Sequence, residues 1–451
     1  MERLELSQEL ARDILSEARA KGATQGDVVM AESESFFVTV RLGEVEKISR
    51  AQEKRLGLRL FFGSSSATAS TSDISKDSIE RLVNDTCTMA RFTAQDQFSG
   101  LPAKEDLAKT FPDLDLFDDS ARSLSVEERT RLALEAEKTA LDFDPRITNS
   151  EGAEFSNQIH RVIYANSHDF SGDYQGSTYS LSVVPVAALN GSMQRDYWYS
   201  SQRKFSSLES PKAVGEKAAA RVLRRLGARK IKSREVPVVF DPEIATTLLR
   251  HLSSAISGYS LYKGASFLVG KLGAKIASEL VTVVDDGLIP MALGSKPFDA
   301  EGLPTRKKIV VEKGVLQSYL LDTYSGRKLG YPSTGNAARS VGEPPGVAPT
   351  NFYLSPGKHS PEQIIASVEE GFYVTELIGF GVNLVTGDYS RGAAGLWIDK
   401  GELAYPIEEV TIAGNLKEML CNIEMVGNDL EMRERISAPT IKISRLTVAG
   451  D

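Results

Sequence analysis

Side chains able to do chemistry are sparse in this chain, which has four histidines and two cysteines among 451 residues. His251 lies in a stretch that reads as a helix. Asp241 and Pro242 suit its first positions, and Ile244, Leu248, Leu252 and Ile256 recur every fourth residue. The neighbours on the His251 face are Thr247, Leu248, Ser254 and Ala255. None is a usual zinc donor, so His251 is a candidate metal ligand without companions, and an ordinary helix histidine is the alternative. His160 and His168 are expected across a strand and turn, and His359 flanks a helix start, so a shared zinc site would need all three folded together. Asp285, Asp286 and Gly287 place two carboxylates side by side. Neighbours on an extended chain point to opposite faces, which favours a turn after a strand over a catalytic dyad. Tyr262 and Lys263 precede a glycine-containing loop and are candidates for peptide contact. Arg339 sits in a long polar loop, residues 333–349, and suits either a peptide carboxylate or carbonyl, or plain solvation. No nucleophile elbow, P-loop or dinucleotide fingerprint occurs.

The elements that must position these groups divide the chain in three. A helix over 7–21 is followed by strands at 26–31, 35–42, 46–53 and 56–62, then by a helix over 75–91. Residues 95–124 read as a connector. Ser125 and Glu128 form a capping box for the next helix. Residues 146–200 read as β, with turns at 151–152, 166–169, 172–176 and 190–191, and Ser210-Pro211 opens a helix ending near Gly227. A break near 230–235 precedes a strand at 236–240 and the helix carrying His251, closed by Gly258; a strand follows at 280–284. The remainder is expected as mostly β: 308–313, 315–322, 351–354, 371–377, 382–386, 390–399, 402–406, 410–413 and 440–446, with one helix over 360–370. The expected fold is α+β: an N-terminal α/β domain (1–115), a central α/β domain (116–230) and a β-rich C-terminal domain (231–451).

Composition excludes several classes. A hydrophobic content of 41% with 25% charged residues is ordinary for a soluble globular protein. No apolar run reaches the roughly 18 residues of a membrane span. The N-terminal segment carries acidic residues and reads as an amphipathic helix rather than a signal peptide, which implies a cytoplasmic protein. A net charge of −8 argues against direct nucleic-acid binding. The basic run from Arg221 to Arg234 is expected at a helix end and in a solvated linker. Cys87 shares a helical face with Val83 and Ala90 and reads as buried, and Cys421 has no nearby cysteine or histidine in sequence.

An ordered series of segments then resembles the TldD/PmbA family. It includes Lys263-Gly264-Ala265-Ser266, Gly270-Lys271-Leu272-Gly273, Ser278-Glu279-Leu280 and Thr282 to Gly287. It continues through Leu321 to Arg327, Ser333 to Ala337, Gly381-Val382-Asn383, Thr386 to Ser390 and Met425 to Asp429. The N-terminal half matches more loosely, chiefly at 40–49 and 56–62. The catalytic branch of that family carries an HExxxH motif on the preceding helix. Registering the two glycine loops puts that motif at Leu249, Arg250 and Ser254, which are not zinc ligands. The catalytic branch also has a cysteine in a glycine-rich insertion after the Met425–Asp429 segment; here Asp429 runs on with neither. The chain resembles the PmbA (TldE) branch, the subunit lacking the zinc motif.

That resemblance implies a non-catalytic subunit, with no cofactor of its own, in a metallopeptidase complex. Zinc would sit in a TldD-like, HExxxH-bearing partner, and the heterodimer would proteolyse unfolded peptides in a closed cleft. Family roles include peptide-antibiotic maturation, antitoxin degradation and modulation of DNA gyrase. A homodimeric peptide-binding protein without hydrolytic activity is the second reading, and a metallopeptidase with a rearranged metal site using His251 is the third.

Overall fold

Period-two alternation along the first strand sets the architecture of the computed structural model, which describes residues 4–450. Strands β1 (Gln25–Arg41), β2 (Glu44–Phe62), β3 (Ser65–Thr71), β4 (Ile147–Asn166), β5 (Ser171–Leu189), β6 (Ser192–Arg195) and β7 (Trp198–Gln202) form one sheet. Its order is β3-β2-β1-β4-β5-β6, with β7 also on β5. Because β1 pairs with β4, the sheet runs through both the first and the second segment of the chain. Val28 and Met30 of β1 pack under helices Gln8–Ala20 and Lys76–Phe92. Phe36, Val38 and Val40, of the same parity, pack under helices Val126–Asp142 and Pro211–Leu223. The alternate residues Asp27, Val29 and Ala31 therefore face the other way, toward the C-terminal half.

That half contains β8 (Arg234–Phe240), β9 (Val283–Asp286), β10 (Lys307–Glu312), β11 (Val315–Leu316), β12 (Ala337–Ala338), β13 (Gly346–Val347) and β14 (Asn351–Leu354). It continues with β15 (Glu370–Ile378), β16 (Asp388–Asp399), β17 (Glu402–Asn415), β18 (Ile423–Val426), β19 (Ile436–Ser437) and β20 (Ile441–Ala449). Strands β17, β16, β15, β8 and β20 close into a ring, because β17 pairs with β20 as well as with β16. A second sheet runs β11-β10-β9-β14-β19. Helix Pro242–Ala255 leaves β8 and buries Leu248, Leu249 and Leu252 in the core that holds Phe372 and Ile412. The mixed α/β composition with a strand-rich C-terminal half is as expected. Among the described residues, no helix is long and apolar enough to cross a membrane.

Several boundaries differ from the sequence reading. The four strands expected over 26–62 are two long ones. The middle of β1 is polar, but both its edges are hydrogen-bonded, to β2 and β4, so backbone pairing carries the strand where apolar alternation lapses. The expected turn at 172–176 lies inside β5. A Cβ at Gly176 would come within 2.7 Å of the His160 ring, and one at Gly172 within 2.9 Å of the Phe111 and Phe298 rings, so these glycines serve close approach. Residues 151–152 form an irregularity within β4 rather than a turn. The strand expected at 280–284 is displaced to Val283–Asp286; Asp285 and Asp286 are therefore in a strand, not a turn. Only Val315–Leu316 of 315–322 is strand, 382–386 is a loop, and a helix at Leu416–Cys421 was not anticipated. Both cysteines are free, Cys87 buried and Cys421 exposed. The basic run is not simply solvated. Arg221 is buried against Asp196 and Glu243, and Arg225 and Arg234 pair with Glu376 and Glu370.

Gly258 opens a second short helix, Gly258–Tyr262, rather than ending the first. A Cβ there would collide with the Ser325 side chain on helix Thr323–Leu329. Gly258→Ala is expected to cost about 1–3 kcal/mol through overpacking, read as a lower denaturant midpoint at unchanged slope.

Candidate functional site

Helix Pro242–Ala255 begins under Asp241, whose Oδ1 accepts from the Glu243 amide at 3.2 Å while Oδ2 accepts from the Tyr373 hydroxyl at 2.8 Å. Along this helix Leu249 points into the core. Arg250 turns into a cavity of about 410 Å³, and Ser254 donates to the Arg250 carbonyl at 2.9 Å. Inside the cavity Arg250 pairs with Glu434, whose Oε1 accepts from the Tyr199 hydroxyl at 2.9 Å. Arg433 stacks on Trp198 with its guanidinium 4.1 Å from the ring centroid. Burial pushes the Glu243 carboxyl above its ordinary value, although Arg221 lies 3.2 Å away and opposes the shift. His251 points elsewhere. Its Nε2 is buried without a partner, its ring meets Tyr389 edge-on, and burial together with the Arg391 charge lowers its pKa.

A larger cleft of about 1220 Å³ separates the edge strand β3 from the C-terminal half. One wall is β3 with the loop 93–100; Arg327 fastens that loop by donating to the carbonyls of Phe98, Gly100 and Leu101. The opposite wall carries Tyr259, Tyr262 and Tyr324, with Tyr259 stacked on Tyr324 at 6.2 Å. Lys263 is exposed beside them, its Nζ 5.9 Å from the rings of both Tyr259 and Tyr262. Arg59, Glu301 and Asp322 also line this cleft.

Arg339 is buried, not a solvated loop arginine: its side chain is 2% exposed. Its Nη1 donates to Asp27 Oδ1 at 2.8 Å, while Arg59, directly across the β1–β2 pair, holds Asp27 Oδ2 with Nε at 3.0 Å and with Nη2. Burial works to raise the Asp27 carboxyl, but the charges of Arg339 and Arg59 and their hydrogen bonds outweigh it and hold the group below its usual range. Arg59 Nη2 also approaches Glu301 Oε1 at 3.9 Å. Glu301 is pushed up to about 7, first by burial and further by the nearby Asp299 and Asp322, against the opposing charge of Arg59.

The remaining candidates are structural. Asp285 is buried and accepts from Lys308 Nζ, Asn336 Nδ2 and both the amide and hydroxyl of Thr350. Asp429 accepts from the amide and hydroxyl of Thr440. His160 is half-buried and pushed down to about 4 by burial and by Arg203, whereas His168 Nδ1 lies 3.0 Å from the Pro102 carbonyl. Among the described residues no group of three or more His, Cys, Asp or Glu side chains could hold a metal ion. Sequence reasoning missed Asp27, Arg59, Glu301, Tyr199 and Glu434. The alternation of β1 and β2 could have flagged Asp27 and Arg59 as opposite charges on the same face of neighbouring strands; nothing local marks the others.

Comparison with known proteins places this geometry. Residues 26–90, 119–226 and 233–450 match, in turn, domain 1, the central domain and the C-terminal domain of the PmbA/TldA metallopeptidases. The chain is 39% identical to the metalloprotease PmbA of Escherichia coli O157:H7, over 98% of this chain and 97% of that protein. It is 37% identical to the PmbA homologue of Haemophilus influenzae, over 96% and 94%. Its fold is similar to that of a Bacteroides thetaiotaomicron protein described as a candidate modulator of DNA gyrase, with a TM-score of 0.92 and 28% identity over 98% and 99% of the two chains. TldE from Thermococcus kodakarensis shares the fold at a TM-score of 0.89 and 22% identity, over 98% of this chain and 100% of that one. The chain belongs to the PmbA/TldD metallopeptidase family.

Leu249, Arg250 and Ser254, the positions expected in register with a zinc motif, do not fit the metal ion that the family name implies. Leu249 is apolar and packed in the core, Arg250 is a cation already paired, and Ser254 is a neutral hydroxyl turned back on its own helix.

Glu301 generates a pH test. A carboxyl whose folded pKa lies above its unfolded value stabilises the fold below the unfolded pKa, and that stability is lost as pH rises through the folded one. Denaturant midpoints of the wild-type chain are therefore expected to fall between about pH 4.5 and 7. Glu301→Gln should flatten that fall, recovering on the order of 2 kcal/mol at pH 8. Parallel curves for the two proteins would remove Glu301 as the cause.

Proposed function

We propose that this chain is the non-catalytic, PmbA/TldE-type subunit of a cytoplasmic peptidase complex, shaping the cleft in which a zinc-bearing, HExxxH-containing partner cleaves unfolded peptides. The observation that carries this reading is the substitution of the motif positions: Leu249 is committed to the core, and Arg250 is locked to Glu434, which Tyr199 also holds. A peptide fits the large cleft by strand addition. The cleft is bordered by β3, whose outer edge has no strand partner among the described residues, and main-chain pairing there would accept many sequences. Tyr259, Tyr262 and Tyr324 offer aromatic faces to its side chains, and Lys263 offers a cation at the rim. A net charge of −8 favours an indirect effect on DNA gyrase, through proteolysis, over one through DNA contact.

A homodimeric peptide-binding protein is the second reading, favoured by the aromatic wall of Tyr259, Tyr262 and Tyr324, which can hold a peptide without a metal. The two separate in one experiment: zinc content and cleavage of an unfolded peptide, for the chain alone and mixed with an HExxxH-bearing family member. The expected outcome is no bound zinc and no cleavage alone, with a chelator-sensitive complex on mixing that cleaves faster than the partner by itself. No complex on mixing, with a stable dimer of the chain alone, would favour the second reading. Stoichiometric zinc and cleavage by the chain alone would sink both.

A further inference from the structure

The pairing of β3 fixes which way the side chains of a peptide added to its edge would point. Phe62 and Ser65 close the two-residue turn at Gly63-Ser64. The β2–β3 hydrogen bonds therefore join Phe62 with Ser65, Leu60 with Ala67 and Leu58 with Ala69. The main-chain groups of Ser66, Thr68 and Ser70 point outward, toward the edge that has no strand partner among the described residues. Both ends of that edge are covered. The Asp96 amide donates to the Ser64 carbonyl at 3.1 Å, and a Cβ on Gly342 would come within 2.4 Å of the Ser70 hydroxyl oxygen. Thr68 is the open position between them and lines the cleft. It stands opposite Arg59, which stands opposite Asp27. A guest residue paired with Thr68 extends that row and turns its side chain to the same face, toward the C-terminal half. The row ends at the Asp27–Arg59–Arg339 group, beyond which a separate cavity of about 570 Å³ shares no lining residue with the cleft.

On that face the cleft presents more carboxylate than free cation. Asp96, Glu301 and Asp322 line it, as do Arg59 and Lys328. Arg59 is committed to Asp27, and Lys328 lies 3.9 Å from Asp96. Asp322 is buried and has no ion-pair partner among the described residues; the Tyr259 hydroxyl lies 3.4 Å from its Oδ2. Glu301 accepts from the Thr323 amide through Oε2 at 2.8 Å, and its Oε1 accepts no hydrogen bond among the described residues. Burial first, and in each case also the charge of Asp322, raises the hydroxyls of Tyr259, Tyr262 and Tyr324. The ring faces of these tyrosines already draw ammonium groups of the chain itself. Lys263 Nζ lies 5.9 Å from Tyr259 and Tyr262, and Lys328 Nζ lies 5.4 Å from Tyr324.

We propose that the large cleft selects a basic residue at one position of the bound peptide. The Lys or Arg side chain of the residue paired with Thr68 is held against the tyrosine faces by the charges of Asp322 and Glu301. This inference rests on the peptide-cleft reading and adds a substrate class to it. A cation placed there opposes the charges that raise Glu301 and favours its ionised form. Neighbouring positions pair through the main chain and stay tolerant of sequence.

The test is fluorescence anisotropy of the full chain with three labelled, unfolded peptides that differ at one central residue: lysine, norleucine or glutamate. The lysine peptide is expected to bind about 10- to 100-fold more tightly than the norleucine peptide, the range of a charge-assisted contact, with glutamate weakest. Glu301→Gln keeps the side-chain shape and should reduce that preference several-fold while leaving norleucine binding unchanged. Tyr262→Leu keeps bulk but loses the ring face and should weaken the lysine peptide alone. Thr68→Pro removes an outward amide and should weaken all three peptides alike. Equal binding of lysine and norleucine peptides, or a preference unchanged in both Glu301→Gln and Tyr262→Leu, would overturn the selectivity; the cleft reading would still stand if Thr68→Pro weakened them. No binding of any peptide, or binding indifferent to Thr68→Pro, would overturn the cleft reading and the selectivity together.

Discussion

A carboxylate gripped by two guanidinium groups holds the halves of this molecule in register. Asp27 and Arg59 face one another across the β1–β2 pair, and Arg339 reaches Asp27 from a loop more than 300 residues further along. All three side chains are nearly excluded from solvent. A buried ion pair adds little net stability over an apolar pair of the same shape, but loss of one partner strands a charge at a cost of about 3–5 kcal/mol. Such a contact acts mainly as a geometric constraint. It permits one seating of the C-terminal loops on the sheet, and the cavities on either side take their walls from that seating. Glu301, 3.9 Å from Arg59, belongs to the same charge group and borders the larger cleft.

The constraint follows from strand alternation. Even-numbered residues of β1 meet the helices, so odd-numbered ones meet whatever lies opposite, and a one-residue slip would bury Asp27 against Leu and Ile side chains. The helix layer and the C-terminal domain therefore occupy opposite faces of one sheet. Binding surfaces collect on the second face, where polar residues are already present.

The sequence was most legible where local chemistry decides. Ser7, Ser125, Ser210, Asp241 and Ser360 cap helices through their side chains as their contexts imply, and the Asn190-Gly191 turn joins β5 to β6. It misled where a residue answers to a distant neighbour. Gly172 and Gly176 read as turn residues but make room for Phe298 and His160. Arg339 read as either a peptide contact or a solvated loop residue because nothing within the loop indicates that Asp27 lies against it. Arg250 was singled out as a motif position, but its pairing with Glu434 spans 184 positions and has no local signature. The contacts of the candidate site were illegible because each joins residues far apart in the sequence.

The long separation between Asp27 and Arg339 bears on how the chain emerges during synthesis. N-terminal segments fold first, so β1 and β2 pair well before residue 339 has been made. In that interval the hairpin is not left with an isolated buried charge, because Arg59 neutralises Asp27 from the neighbouring strand. The early domain can thus wait with its polar face balanced. Arrival of the second arginine then marks the point at which the two ends of the polypeptide become one body.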